Sequence, residues 1–370
     1  MGVPLARRNL LHEKGKLLLS VLGVGAALTL IVLLLGFREG LYSTLSAYVD
    51  NMDAHLIVAQ TGVKGFFASN SAIPAAIHDD IDAASGAVET GHILVADIIF
   101  TVGATKTPVL LIGYNPDTGM GGPWSLGQGR GVQDDDEVAL DLWLAQRNGI
   151  AVGDRLELLG RPFTVVGLTR ETASWMSPYI FISQQAAEDA LQMPGGASFY
   201  FVQLAEGADI DAAARAVEAQ VPGVDALRPS EVAVADREVL AAVMETPIVV
   251  MLAISAIIGV AVMGLTAYTA VADRRRDYGV LKAIGAGRGR LNRLVAVETI
   301  CRAALGFVLG AGLSYLSAWL IMTLWPQFTI VIRPESVALA GAAALGMTVV
   351  AALLPIRRVA AIDPALVFKA

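Results

Sequence analysis

The sequence predicts a membrane protein with four transmembrane α-helices and a large α+β extracytoplasmic domain inserted between helices 1 and 2. Of its 370 residues, 55% are hydrophobic and only 16% are charged, whereas soluble proteins carry about 25% charged residues. The mean hydropathy is +0.60. Long apolar runs lie near the N-terminus and after residue 247, and the segment between them alternates like a soluble domain. A water-soluble domain in a membrane frame accounts for this pattern.

Four apolar runs, at 17–35, 248–271, 303–324 and 337–354, can each cross most or all of a hydrocarbon core of about 30 Å. The first run is longer than a signal-peptide core and lacks a convincing A-x-A site, so we expect no cleavage. The predicted division is an N-terminal segment (1–16), helix 1 (17–37), the inserted domain with its stalk helices (38–247), helix 2 (248–272), a loop (273–293), helix 3 (294–324), a short outer loop (325–336), helix 4 (337–354) and a tail (355–370).

The distribution of charge predicts the orientation. Residues 38–247 carry 28 acidic and 11 basic side chains, a net charge of −17, whereas the remainder carries +10. By the positive-inside rule, both termini and the loop 273–293 are cytoplasmic and the inserted domain is outside. Because orientation explains the basic clusters and the whole chain has a net charge of −7, we expect no nucleic-acid partner.

The inserted domain has a mixed α and β pattern. Strands are expected at 55–60, 93–100, 108–114, 155–159, 163–168, 179–182 and 199–204, and helices at 142–148, 183–191 and 210–221. Ser183 stands where an N-cap is expected. Helical spacing at 39–49 and 232–245 predicts that the first two spans extend outward as a stalk, with Pro247 as a candidate kink. The acidic run 134–137 is interpreted as a solvated loop.

The loop between spans two and three is the most informative segment. Three consecutive arginines, Arg274 to Arg276, precede a short helical stretch with Val280, Leu281 and Ile284 apolar, and glycines follow that can end it. This pattern predicts an amphipathic element at the cytoplasmic surface. Charge alone does not decide between this element and a charged loop that only sets the membrane topology.

This loop resembles that of the FtsX-like permease family, which has an arginine, an acidic residue three positions on, and then a G-V-L-[RK]-A-[IL]-G-A run. Arg274, Asp277 and the run 279–286 match it, with Asp277 where the family usually has Glu. Glu298 and the ending 355–366 also match the family. Residues 148–154 and 163–167 resemble MacB-like periplasmic domains, and residues 4–14 and 36–41 resemble DevC-type permeases.

The resemblance implies a permease subunit of an ABC exporter of the MacB/FtsX type (type VII), a non-catalytic protein of the bacterial inner membrane. In that family the loop is a coupling helix that docks into a separate ATPase subunit, which binds ATP and Mg²⁺; this chain is expected to bind no cofactor. The residues expected to couple are Arg274, Asp277, Gly279, Val280, Leu281, Lys282, Ile284 and Gly285.

The expected partners are that ATPase, a second permease copy, membrane lipids, and, from the DevC resemblance, a membrane-fusion adaptor and an outer-membrane duct. The expected substrate is amphiphilic, such as a lipid or glycolipid. One alternative is an FtsX-like signalling subunit that regulates an extracellular enzyme. Another is efflux of haem or a hydrophobic drug, in which Met244 and Glu245 at the mouth of span two would contact the substrate, although they are more readily interpreted as interface anchors.

Several other functional classes lack support in the sequence. The glycine-rich stretches lack the lysine of a nucleotide-binding loop, and the four histidines lack zinc-ligand spacing. The single Cys301 excludes an intrachain disulfide. Glu298 and Arg302 are four residues apart and are predicted to pair at the membrane boundary. The glycines at 306, 310 and 312 are expected to permit close helix packing.

Overall fold

The computed structural model describes residues 14–66, 71–173, 177–283, 287–325 and 328–360. The chain divides into two compact units. One comprises Leu41–Val243 and is named here the α+β unit; the other comprises Met1–Gly40 with Met244–Ala370 and is named the membrane unit.

The α+β unit contains a ten-stranded sheet, a two-stranded sheet and short helices. Its strands are β1 Leu56–Gln60, β2 Ile73–Pro74, β3 Glu89–Val102, β4 Thr105–Tyr114, β5 Leu126–Gly129, β6 Glu137–Asp141, β7 Arg155–Leu158, β8 Arg161–Thr169, β9 Tyr179–Ser183, β10 Gly196–Ala197, β11 Phe199–Gln203 and β12 Val224–Leu227. Its helices are α2 His78–Ser85, α3 Leu142–Asn148, α4 Gln184–Leu191 and α5 Ile210–Gln220, with a 3-10 turn at Ala75–Ile77. Two longer helices, α1 Lys14–Asp50 and α6 Pro229–Asp273, contribute residues to both units.

The large sheet has the order β12-β1-β11-β3-β4-β9-β6-β8-β5, and β7 pairs with β8. Most neighbours are antiparallel, but β4 pairs with β9 and β6 pairs with β8 in parallel. The strands β3 and β4 form the longest hairpin, which runs from the pair Ile93 and Tyr114 to the pair Val102 and Thr105. β2 and β10 form the separate two-stranded sheet.

Both faces of the sheet are covered, because alternate side chains along the strands enter different cores. On one face, Tyr48 of α1 and Val232 of α6 pack against strand residues such as Phe201. The Tyr48 hydroxyl donates a hydrogen bond of 2.6 Å to the carbonyl oxygen of Gly121, and its ring stacks on Phe66. On the opposite face, α2 and α5 cover one half of the sheet and α3 and α4 cover the other half.

Side-chain caps start two of these short helices. The carboxylate of Asp141 accepts from the backbone N–H of Trp143 and Leu144 at the start of α3. Ser183 caps α4 by accepting from the N–H of Ala186, as expected from the sequence. Burial raises the pKa of Asp141 to about 6, because a low-dielectric environment disfavours the charged carboxylate.

The seven expected strands and three expected helices all correspond to elements of the α+β unit. Sequence reasoning missed α2 and the strands β2, β5, β6, β10 and β12. The interpretation of 134–137 as a solvated loop was wrong at Glu137, which begins β6, is 7% exposed, and pairs with Arg130. The residues 134–136 are exposed. The Arg130 guanidinium, through a hydrogen bond, holds the pKa of the Glu137 carboxyl below its usual value.

The membrane unit contains parts of α1 and α6, followed by α7 Arg275–Ala283, α8 Arg288–Leu324 and α9 Pro334–Ala360. In the described residues, α1, α6, α8 and α9 are each long and apolar enough to cross a membrane. The helix α6 continues through Pro247. The helix α9 continues to Ala360, past the expected end of span four.

Glycines bring α8 against α1. A Cβ atom built on Gly306 would lie 2.6 Å from Cγ1 of Val24, and one on Gly310 would lie 2.7 Å from the carbonyl oxygen of Gly25. The expected close packing of helices is therefore confirmed at these two glycines. It is not found at Gly312, where an added Cβ would have no heavy atom of the described residues within 4 Å.

Candidate coupling site

The segment that follows α6 is where the sequence places its coupling motif. Asp273 ends α6, Arg274 separates the two helices, and α7 begins at Arg275. The next helix, α8, begins at Arg288 after Gly287, whose extended backbone occupies the N-cap position. A short helix is thus held between two long membrane helices, in agreement with the helical spacing of the sequence.

Three buried charges converge beside this loop, on Glu298 of α8. Nη1 of Arg274 lies 3.7 Å from Oε1 of Glu298, and Nη2 of Arg302 lies 4.0 Å from Oε2. The side-chain exposures are 12% for Arg274, 6% for Glu298 and 8% for Arg302. Arg274, Glu298 and Arg302 are named here the ionic cluster.

Two residues of the ionic cluster lie on α8, and the third comes from the loop. Glu298 and Arg302 are one helical turn apart on α8, so their side chains lie on the same face. Arg274 comes from the other side of the loop, 24 positions earlier in the chain. The carboxylate therefore bridges the end of α6 to α8, and α7 is the element enclosed by that bridge.

The ionic cluster is suited to holding helices together. An arginine guanidinium stays protonated in proteins and offers only donors. The carboxylate of Glu298 is an acceptor that faces both guanidinium groups. Since separating buried partners leaves an uncompensated charge, the cluster resists independent movement of Arg274 and Glu298.

The structure brings together some of the predicted coupling residues and leaves others undecided. Arg274 joins Glu298 and Arg302, Gly279 is buried, Val280 is 36% exposed, and Lys282 is half-buried. The backbones of Asp277 and Leu281 lie in α7, but their side chains are outside what the structure describes, and Ile284 and Gly285 lie outside the described residues altogether. The role of these residues in docking stays a prediction.

The sequence interpretation treated Arg274 and Glu298 as parts of two separate sites. It predicted the pair of Glu298 with Arg302 but not the third member of the cluster. A signal was available, because Glu298 is the one acidic residue in the predicted third span and would need cationic partners in a membrane. Which distant arginine would reach it could not be inferred from spacing.

The two candidate substrate-contact residues lie on α6, at the start of its membrane-unit portion. Met244 is half-buried and Glu245 is exposed. Among the described residues, no group of three or more His, Cys, Asp or Glu side chains is placed to hold a metal ion.

Two family models together cover most of the chain. The MacB-like periplasmic core domain matches residues 17–220, and the FtsX-like permease C-terminal domain matches residues 249–364. The first match alone spans more than half of the chain. The second match includes α7 and the ionic cluster.

Relatives with curated names agree with these matches. An uncharacterised ABC transporter permease of Mycobacterium tuberculosis is 26% identical over 371 residues, covering 98% of both chains. A macrolide export ATP-binding/permease protein MacB of Hyphomonas neptunium is 25% identical over 399 residues, which cover 98% of this chain and 60% of that protein.

Among solved structures, the periplasmic region of MacB from Actinobacillus actinomycetemcomitans matches 49% of this chain and 92% of its own, at 12% identity and a TM-score of 0.39. The extracellular domain of the transporter YknZ matches 47% of this chain and all of its own, at 13% identity and a TM-score of 0.36. At these scores, the family assignment depends on the sequence matches. The four apolar helices and the permease family indicate an inner-membrane protein that works with a partner ATPase. The chain belongs to the MacB/FtsX family of ABC transporter permeases.

Proposed function

We propose that this permease transmits ATPase-driven motion from its loop 273–293 to the α+β unit, and so moves an amphiphilic substrate out of the membrane or periplasm. In this proposal the loop and both termini are cytoplasmic and the α+β unit is extracytoplasmic. ATP and Mg²⁺ bind to the partner ATPase and not to this chain. The observation that carries the proposal is the contact between Arg274 and Glu298.

The ionic cluster supports transmission because it spans the loop. A partner that docks on α7 and displaces it would act on a segment joined to α6 by the chain and to α8 by Glu298. Breaking a buried ion pair costs about 3–5 kcal/mol. Movement of the loop together with the ends of α6 and α8 is therefore less costly than movement of the loop alone.

The identity of the partners decides between export and signalling. Affinity purification from native membranes in mild detergent, followed by mass spectrometry, is expected to recover an ATPase with a nucleotide-binding loop. A periplasmic adaptor in the same preparation would support the DevC-type arrangement, a second copy of the chain would support a dimer, and a cell-wall enzyme would favour signalling. Recovery of no ATPase would contradict the proposal.

Charge reversal at Lys282 tests the docking role of α7. We expect Lys282→Glu to lower the amount of co-purified ATPase at least fivefold, because it places a negative charge in the motif, while the chain still inserts in the membrane. The matched control is Lys106→Glu, the same change at an exposed lysine of β4. Equal recovery of ATPase with Lys282→Glu and with the unmodified chain would remove the docking assignment.

A further inference from the structure

The connection between α8 and α9 lies against α1 at residues 328–333. The backbone N–H of Val331 donates a hydrogen bond of 2.9 Å to the carbonyl oxygen of Gly36. Ile330 is 8% exposed although it lies outside any helix. The rings of Phe37 and Phe328 are 6.2 Å apart between centroids. The residues 328–333 are named here the connection.

Two glycines of α1 permit this approach. A Cβ built on Gly40 would lie 1.8 Å from the carbonyl oxygen of Thr329, and one on Gly36 would lie 3.0 Å from Cγ2 of Ile330. Gly36 and Gly40 are four residues apart, so they lie on one face of the helix and form a shallow groove. Any side chain at position 40 would displace the backbone of the connection.

An ion pair closes the same contact. Nε of Arg333 lies 3.1 Å from Oε2 of Glu39, and Nη2 of Arg38 lies 3.4 Å from Oε1. Glu39 is only 16% exposed, so its attraction to Arg333 is less screened than that of a fully exposed pair. The connection is therefore held against residues 36–40 of α1 by a backbone hydrogen bond, by packing on two glycines, by a contact between two rings and by an ion pair.

We propose that α1 and the connection stay together as one body throughout the working cycle, and that Glu39 is a positioning residue of this contact. Displacement of α8 and α9 then reaches α1 at Gly36–Gly40, directly before Leu41, where the α+β unit begins. This inference rests on the proposed function, because it supplies a route by which helix motion reaches the α+β unit. This contact between the connection and residues 36–40 is named here the joint. Its residues are proposed to keep the same relative positions and not to act as a hinge.

A disulfide tests whether the joint stays closed. The Cβ atoms of Gly36→Cys and Ile330→Cys would be at most about 4.5 Å apart, because Cγ2 of Ile330 is about 1.5 Å from its own Cβ, and disulfides need about 3.5–4.5 Å. Cys301→Ser supplies the background, and the two single-cysteine variants are the controls. The protein is studied as the membrane complex with its ATPase, by gel mobility and ATP hydrolysis.

We expect the disulfide to form on mild oxidation at a rate that changes less than twofold when ATP is added. The cross-linked complex is expected to hydrolyse ATP within twofold of its reduced form. Failure to cross-link, a rate that changes more than fivefold with ATP, or loss of hydrolysis on cross-linking would each overturn the proposal.

A wedge variant separates this contact from general helix packing. Adding Gly40→Ala to the cysteine pair is expected to lower the cross-linking rate at least fivefold, because the new methyl group meets the Thr329 carbonyl. The matched control is Gly312→Ala on α8, where the added Cβ meets open space. Adding Glu39→Gln is expected to lower the rate about threefold. Equal cross-linking rates in the cysteine pair and in its three derivatives would overturn the proposal.

Failure of the contact between α1 and the connection can be distinguished from failure of the proposed function. If no ATPase co-purifies with the unmodified chain, the proposed transmission of ATPase-driven motion is contradicted. The yield of the disulfide in the same membranes still decides whether the connection is held on α1. A high yield would support the joint, and a low yield would overturn it.

Discussion

Replacement of Glu298 by glutamine removes the one negative charge of the ionic cluster and keeps the shape of the side chain. At the observed 3.7 and 4.0 Å, each Arg–Glu attraction is about 4 kcal/mol at an effective dielectric constant near 20. Desolvation of the ions offsets part of this attraction. Breaking a buried pair by removal of one partner nevertheless costs about 3–5 kcal/mol, since the remaining charges stay buried.

We therefore expect Glu298→Gln, at a cost of about 3–5 kcal/mol, to lower the midpoint of thermal unfolding by roughly 6–20 °C, at about 2–4 °C per kcal/mol. The assay is thermal unfolding of the purified chain in detergent, together with ATP hydrolysis by the complex. The control is Glu335→Gln, the same change at an exposed glutamate in the first turn of α9, which is expected to leave the midpoint unchanged.

A double-mutant cycle assigns the effect to the ionic cluster. Arg274→Gln should cost much less in the Glu298→Gln background than in the unmodified chain, with a coupling energy of about 1–3 kcal/mol. Additive effects, or a Glu298→Gln variant that unfolds at the wild-type temperature and still couples to ATP hydrolysis, would refute the account of the cluster as a link across the loop.

Two further predictions concern the packing of each unit. The raised folded-state pKa of Asp141, about 6 against an ordinary 3.8, means that the folded chain binds more protons than the unfolded chain between these values. The free energy of unfolding should then fall by about 3 kcal/mol in all as the pH rises from well below 3.8 to well above 6. Asp141→Asn, which can still cap α3, should remove this dependence in the tryptophan fluorescence of the full chain, and an unchanged slope would contradict the assignment. In the membrane unit, Gly306→Leu should destabilise by about 1–3 kcal/mol, because its Cβ would overlap Val24. The control Gly312→Leu meets open space and should change the unfolding midpoint little; equal losses would contradict close packing at Gly306.

The elements that sequence reasoning located are those whose signal is local. Long apolar runs indicate helices that can span a membrane, because each residue of such a helix meets its backbone partner within the same segment. Alternation along β3 and β4, and the N-cap at Ser183, are likewise contained within a few residues. The strand β6 lacks that signal, because all five of its residues are buried and it reads as a short apolar run after an acidic stretch.

Strand order depends on contacts that no local pattern encodes. The strand β9 lies between β4 and β6, parallel to one and antiparallel to the other, although about 40 residues of chain separate it from β6. The two-stranded sheet of β2 and β10 joins residues more than 120 positions apart. Such pairings are selected by packing on both faces of the sheet, where side chains from distant elements fill the same core.

The sequence by itself determined the four apolar helices, the α+β class of the large domain, the family and the position of the FtsX-like motif, because composition, periodicity and motif spacing are properties of the chain. The tertiary structure decided that Arg274 reaches Glu298, that Glu137 is buried against Arg130, and that the connection lies in the groove of Gly36 and Gly40. A charged side chain takes whichever partner the fold brings within reach, and a glycine reveals its role only when another backbone comes close. Both depend on the distance between segments that are remote in the chain.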